Sequence, residues 1–164
     1  MLSKKPYNRA QAVEYARVWA FGRNPAYYDF SDLGGDCTNF ISQCLYAGSR
    51  QMNFTPTFGW YYLSPNQRTP SWSGVPYLYN FLTTNKGVGP YARSVDIEAL
   101  EPGDIIQLGG QAGDFYHSLL VTGKSGPIPL VATHTYDAFG RPLTSYSYEL
   151  ARYLHIEGVR VQAK

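Results

Sequence analysis

The sequence predicts an α+β fold in which a few N-terminal helices pack on an antiparallel sheet. Two observations predict it. Apolar residues recur at helical spacing only in the first half of the chain. In the second half, strand-like runs follow one another with short turns between them. No repeat or interdomain linker interrupts the 164 residues, so 1–164 reads as one domain, long enough to bury a sizeable core.

The stretch YNRAQAVEYARVWAFG (7–22) reads as the first helix, with Asn8 placed to cap it. Ala12, Tyr15, Ala16 and Trp19 form one stripe and Gly22 ends it. NPAYYDFSDLGG (24–35) is a loop of turn residues and aromatics. Within GGDCTNFISQCLYAG (34–48) a second helix is expected from about Asp36 to Ala47, closed by Gly48. Residues 49–74, including TFGWYYLSPNQRTPSWSG, carry no period and read as a long binding loop. In that loop Trp60, Tyr61, Tyr62 and Trp72 are expected to shape a substrate groove. VPYLYNFLTTNKG (75–87) is a third short helix that packs Leu78, Phe81 and Leu82. Four strands follow, in EPGDIIQLGG, DFYHSLLVTGKSG, PIPLVATHTYDAFG and ARYLHIEGVRV.

The net charge of +2, from 14 basic and 12 acidic residues, gives no footprint for nucleic acid. No stretch has transmembrane length and the N-terminus has no secretory apolar core. A soluble domain is therefore expected, either cytosolic or part of a longer exported protein. The 16% aromatic share, with 15 tyrosines, suits a surface that grips sugars or peptides, and equally a tyrosine-rich β core. Cys37 and Cys44 on one helix would stand about 10 Å apart along its axis, too far to bridge. Cys44, among Phe40, Ile41 and Leu45, reads as a small buried hydrophobe.

Cys37 differs, because it opens its helix behind two glycines and an aspartate. The positive end of the helix dipole favours thiolate there. A cysteine nucleophile needs a base, and the base needs a group that orients it. His117 and His134 fall on neighbouring strands and meet that list, with Asp137 a second candidate for the orienting role. Asp36 is placed to cap the helix and to bind a substrate ammonium. His155 has no evident link to Cys37 and reads as structural. Zinc held by Cys37, His117 and His134 is an alternative, although no CxxC or HExxH spacing marks it.

GGDCTNFISQCLYAG resembles the signature of the bacterial "Putative amidase domain" family, within the NlpC-like superfamily of papain-fold cysteine peptidases. The likeness includes NPAYYDF upstream and EPGDIIQL, HSLLVTG and THTYD downstream, in the family's order. The resemblance implies a papain-like α+β fold with the cysteine at a helix start packed on an antiparallel sheet. It implies Cys37 as nucleophile, His117 as general base and His134 as the third polar residue. The loop around Tyr28 resembles the segment that in relatives sets a tyrosine hydroxyl beside the cysteine. Thr38-Asn39 stands where the wider superfamily more often has Ser-Gly, which fits the amidase branch.

The dipole and a His117 imidazolium would lower the thiol pKa from ~8.5 to roughly 3.5–7.5. The unpaired Cys37 N–H would serve the oxyanion. The expected activity is cleavage of an amide in bacterial peptidoglycan stem peptides through a thioester acyl-enzyme, with no cofactor or metal. The expected setting is the cell envelope or a secreted chain, with no nucleic-acid partner and no membrane insertion. The alternative function is a non-catalytic module that binds wall glycan or peptide.

Overall fold

A computed structural model describes all residues, 1–164. It is α+β, with a seven-stranded antiparallel sheet and four helices. Helix α1 (Arg9–Trp19) begins at Asn8, whose side chain accepts from the Gln11 N–H. It buries Ala12 and Ala16. Helix α2 (Cys37–Ser49) runs on through Gly48 and ends at Arg50 in the left-handed region. Gly48 is therefore a packing residue and not a stop. A Cβ there would stand 2.5 Å from the Tyr7 ring and 2.8 Å from the Asn8 carbonyl.

The expected loop 49–74 contains real structure. Asn53 bridges Trp60, strands β2 (Tyr62–Ser64) and β3 (Gln67–Arg68) form a small hairpin, and α3 (Pro70–Ser73) follows. Helix α4 (Val75–Thr84) buries Leu78, Phe81 and Leu82, as its period predicts. The sheet holds β1 (Leu2–Lys5), β4 (Gly89–Ser94), β5 (Ile105–Gly109), β6 (Phe115–Ser125), β7 (Ile128–Thr133), β8 (Ala138–Pro142) and β9 (Leu150–Gln162). Strand β9 is the hub. It pairs with β5 through Leu150–Leu154 and with β1 through its last four residues, while β4 takes its other edge. From β5 the sheet continues through β6 and β7 to β8. The third expected strand is thus two, β7 and β8, turned at 134–137.

The larger core lies between the helices and one sheet face, and joins Phe40, Ile41, Leu45, Trp60 and Trp72 to Ile105, Leu120 and Ala132. The smaller core covers the opposite face with Ile106, Leu108, Leu119, Val121, Val131 and Leu143. The two lists alternate along β5 and β6, as a sheet buried on both faces requires. Both cysteines are free and buried. No helix is long and apolar enough to cross a membrane.

Candidate active site

The string Asp36-Cys37-Thr38-Asn39-Phe40 fastens the first turn of α2 to the rest of the molecule. Asp36 Oδ1 accepts from the Phe30 N–H (2.8 Å) and from Asn39 Nδ2 (2.9 Å). Its Oδ2 meets His134 Nδ1 at 2.5 Å. The Thr38 and Ser118 hydroxyls share a 2.9 Å hydrogen bond that ties α2 to β6. Asn39 donates to the Tyr28 carbonyl (2.9 Å) and accepts from the Trp72 indole (3.0 Å). Phe40 stacks on the His134 ring, 4.0 Å between centroids. Four of the five side chains are thus fully engaged, and only the Cys37 thiol is left facing a cleft.

That cleft, about 600 Å³, is lined by Cys37, His117, Gly35, Tyr136, Arg141 and Tyr146, among others. Cys37 comes from the helix start, His117 from the start of β6, and the far wall from β8 and the turns at its two ends. His117 Nε2 lies 3.5 Å from Thr133 Oγ1. The Thr133 hydroxyl spends its single proton on the carbonyl of Ser118 (2.9 Å) or His134 (2.8 Å), so towards His117 it accepts. The network therefore assigns the proton of His117 to Nε2. Nδ1 keeps its lone pair and has no protein partner. No hydrogen bond links the imidazole to the thiol.

Electrostatics oppose the ion pair that the sequence suggests. Burial, the largest influence, raises the Cys37 thiol above its ordinary value, against hydrogen bonds from Ser118 and Thr38 that pull it down. Burial first, and the Arg141 charge second, push His117 down to about 4. The resting pair is therefore neutral thiol and neutral imidazole near pH 7. Only 7% of Cys37 is exposed, so a thiolate there would lose most of its hydration.

Several expected site residues stand elsewhere. His134 does not orient His117, because Nδ1 meets Asp36 and Nε2 donates to the Trp19 carbonyl at 2.9 Å. With both nitrogens taken it cannot join Cys37 and His117 around zinc, and no cluster of three His, Cys, Asp or Glu side chains is placed to hold a metal ion. The reason is a β-bulge. From the hairpin, β6 and β7 pair as Gly123↔Leu130, then slip one residue to Val121↔Val131 and Leu120↔Ala132. Such a slip reverses which face each side chain takes. It sends His134 to the helix side and brings Thr133 to the face of His117.

Asp36 makes no side-chain cap bond, and its carboxylate is too enclosed to meet a substrate ammonium. Asp137 faces Arg23, at 3.0 and 3.2 Å, and not His117. Tyr28 is half exposed, packs edge-on to Phe30, and is absent from the cleft wall. Trp60 and Trp72 form no groove. Both are fully buried, their ring centroids 4.8 Å apart and their planes tilted by 31°, with their indole N–H groups given to Ser42 and Asn39. Tyr62 is buried with them, and its hydroxyl accepts from the Tyr28 N–H. Tyr61 is half-buried against Phe54, away from the cleft. His155 meets Asp104 at 2.8 Å and has the structural place expected for it.

The sequence reading missed Thr133, Arg141 and Tyr146. The signal for Arg141 was its place in FGRPLTSY, one of three cations between His117 and His155, with Lys124 and Arg152. Thr135 and Tyr136, both at positive φ (69° and 55°), make the tight β7–β8 turn at the cleft rim.

No solved structure matches the chain. It is 38% identical over 147 residues to an uncharacterized Bacillus subtilis protein, YhbB; the match covers 87% of this chain. The chain spans only 45% of that relative's length. A family model matches residues 6–156, nearly the whole chain, and the chain accordingly belongs to the "Putative amidase domain" family.

Proposed function

We propose that this domain is a cysteine-dependent amide hydrolase of the papain-like, NlpC type, acting on the peptides of bacterial peptidoglycan. The observation that carries the reading is the shared cleft of Cys37 and His117, with one thiol at a helix start and one imidazole whose Nδ1 is free. The family description supports amide hydrolysis. The chain order, helix-borne cysteine then histidine on an antiparallel sheet, supports the papain-like placement. The likeness of the cysteine segment to NlpC-type peptidases supports a wall peptide as substrate, and hence a working place in the cell envelope or outside the cell.

In this mechanism His117 Nδ1 takes the thiol proton as Cys37 Sγ attacks the amide carbonyl carbon. The Cys37 N–H, at the first helical position and without an intrahelical partner, donates to the oxyanion. The tetrahedral adduct collapses, the C–N bond breaks, and the imidazolium gives its proton to the leaving amine. Water, deprotonated by His117, then attacks the thioester, releases the acid and restores the thiol. Thr133 keeps the ring turned by accepting from Nε2. The neutral resting pair makes His117 a general base at the moment of attack, not half of a preformed ion pair.

The test is digestion of purified peptidoglycan with mass spectrometry of the released fragments. New amines in the stem peptide, or at the lactyl amide, with sugar chains intact are the expected products. Cys37→Ala should lose at least about 1,000-fold in rate with an unchanged melting curve. New reducing sugar ends, or an active Cys37→Ala protein, would sink the reading. Wall material bound but never cut would favour the non-catalytic module.

A further inference from the structure

Arg141 is the one permanently charged side chain on the cleft wall. Among the residues lining the cleft there is no aspartate and no glutamate. The guanidinium makes no ion pair, whereas Arg9 and Arg23, both outside the cleft, are paired with carboxylates. It is nevertheless held in place. Nε donates to Ser145 Oγ at 2.7 Å and Nη2 donates to the Ser145 carbonyl at 3.1 Å. Its plane covers the Tyr146 ring at 4.0 Å from the centroid. Tyr146 in turn neighbours the His117 ring, 6.1 Å between centroids. Nη1 has no protein partner.

A half-buried cation beside the general base is by itself an unfavourable neighbour for it. Its charge stands against protonation of His117, the state that the base must reach as the thiol gives up its proton. A structure that anchors such a cation with two hydrogen bonds and a ring, and leaves one edge open, is arranged for an anion that arrives with the substrate. The planar fork of arginine suits a carboxylate. An anion seated there would also offset the charge that disfavours the imidazolium.

We propose that Arg141 is a specificity-determining residue that binds a substrate carboxylate adjoining the amide attacked by Cys37, so that the preferred substrates are acidic peptides. The proposal rests on the hydrolase reading of the same cleft. The carboxylate can be an acidic side chain or a free chain end, and both present the same group.

The experiment uses matched short synthetic peptides. One set carries Glu or Asp beside the scissile amide, with Gln or Asn isosteres as controls. The other carries a free α-carboxylate, with a C-terminal carboxamide as control. Wild type should prefer the carboxylate form in one set by roughly 10- to 100-fold in kcat/KM, and the set that responds names the source of the carboxylate. Arg141→Gln should lose that preference mainly through KM. Arg141→Lys, which keeps the charge without the fork, should recover part of it. Melting curves confirm that both variants fold.

Binding of the same peptides to Cys37→Ala, read by calorimetry, separates the two ideas. Carboxylate-selective binding that Arg141→Gln abolishes, without cleavage by wild type, supports the Arg141 proposal and removes the hydrolase reading. Cleavage with no carboxylate preference, or a preference that survives Arg141→Gln, overturns the Arg141 proposal and leaves the hydrolase reading. Failure of Cys37→Ala to bind any of these peptides also overturns it.

Discussion

Asp36 and Asp104 are one construction used at two ends of the molecule. Each carboxylate is buried, accepts a backbone N–H, meets a histidine Nδ1 and stands near an arginine. For Asp36 these are Phe30, His134 at 2.5 Å and Arg23 at 3.7 Å. For Asp104 they are Ile156, His155 at 2.8 Å and Arg9 at 2.7 Å. Asp104 ties α1 and β9 to the turn before β5, and nothing reactive adjoins it. Asp36 ties the loop before α2 to the end of β7, and the next residue is Cys37. A buried carboxylate–histidine–arginine group is thus a fastening in itself. It gains chemical meaning only from what it fastens. His117, held by neither carboxylate and with one nitrogen free, is the histidine available for chemistry.

The largest expected effect breaks each fastening in turn. Asp36→Ala and Asp104→Ala should each cost about 3–5 kcal/mol, because each strands a histidine, fully buried at His134 and mostly buried at His155, and an unpaired backbone N–H. Urea unfolding measures that loss. Activity per folded molecule should separate them. Asp36→Ala should fall at least about 100-fold, since the turn that aims Cys37 loses its anchor, while Asp104→Ala should stay near wild type. Equal activity losses after correction for folded fraction would erase the difference between the two ends.

The separation also explains what the sequence could reveal. Helices α1, α2 and α4 were legible because their apolar stripes bury against one sheet face, β5 and the middle of β6 because both their faces are buried, and β9 because buried Leu154 and Ile156 alternate with the more exposed Tyr153, His155 and Glu157. Strands β1 and β4 were not. LSKK carries no alternation, and GPYARS opens with Gly-Pro, a turn signal that β4 absorbs with Gly89 at φ 106°. Trp60 and Trp72 sat in an aperiodic, polar stretch that looks solvated, yet their rings fill the space beside α2. Burial of a large ring needs no period when the chain wraps a helix. Cys37 and His117 could be read as a pair because helix start and strand start converge on one cleft. The place of His134 could not be read, because it depends on a single bulged residue beside Val121, and neighbouring strands in unknown register do not say which face a histidine takes.

The next effect sharpens the contrast between His117 and the two fastened histidines. Its pKa is pushed down to about 4, so between about pH 6.5 and 4 the unfolded chain binds the proton and the folded one does not. Stability from this group is complete above about 6.5 and is lost as pH falls towards 4. The full loss is on the order of 3 kcal/mol at most. His117→Gln should flatten that acid limb in urea titrations at a series of pH values. The same neutral resting state predicts slow iodoacetamide labelling of Cys37 at pH 6, rising only in the alkaline range. Rapid labelling at pH 6 that His117→Gln suppresses would restore the ion pair and contradict the burial argument.

The smallest effect distinguishes the arginines. Arg9 gives Asp104 a 2.7 Å bond and also donates to the Pro102 and Ile156 carbonyls, at 3.0 and 2.6 Å. Removing it leaves a fully buried carboxylate with one charged partner fewer, so Arg9→Ala should cost about 2 kcal/mol. Arg23 donates to Asp29 and Asp137, both partly exposed, to the Gly22 carbonyl and to Ser31 Oγ, and reaches Asp36 only at 3.7 Å. Partly solvated pairs of that kind contribute little, and Arg23→Ala should cost about 1 kcal/mol or less, a melting shift of roughly 2–4 °C. Activity should stay within about threefold, because Asp36 keeps Phe30, Asn39 and His134. A loss for Arg23→Ala as large as that for Arg9→Ala would show that the Asp36 end depends on its distant cation as fully as the Asp104 end depends on its near one.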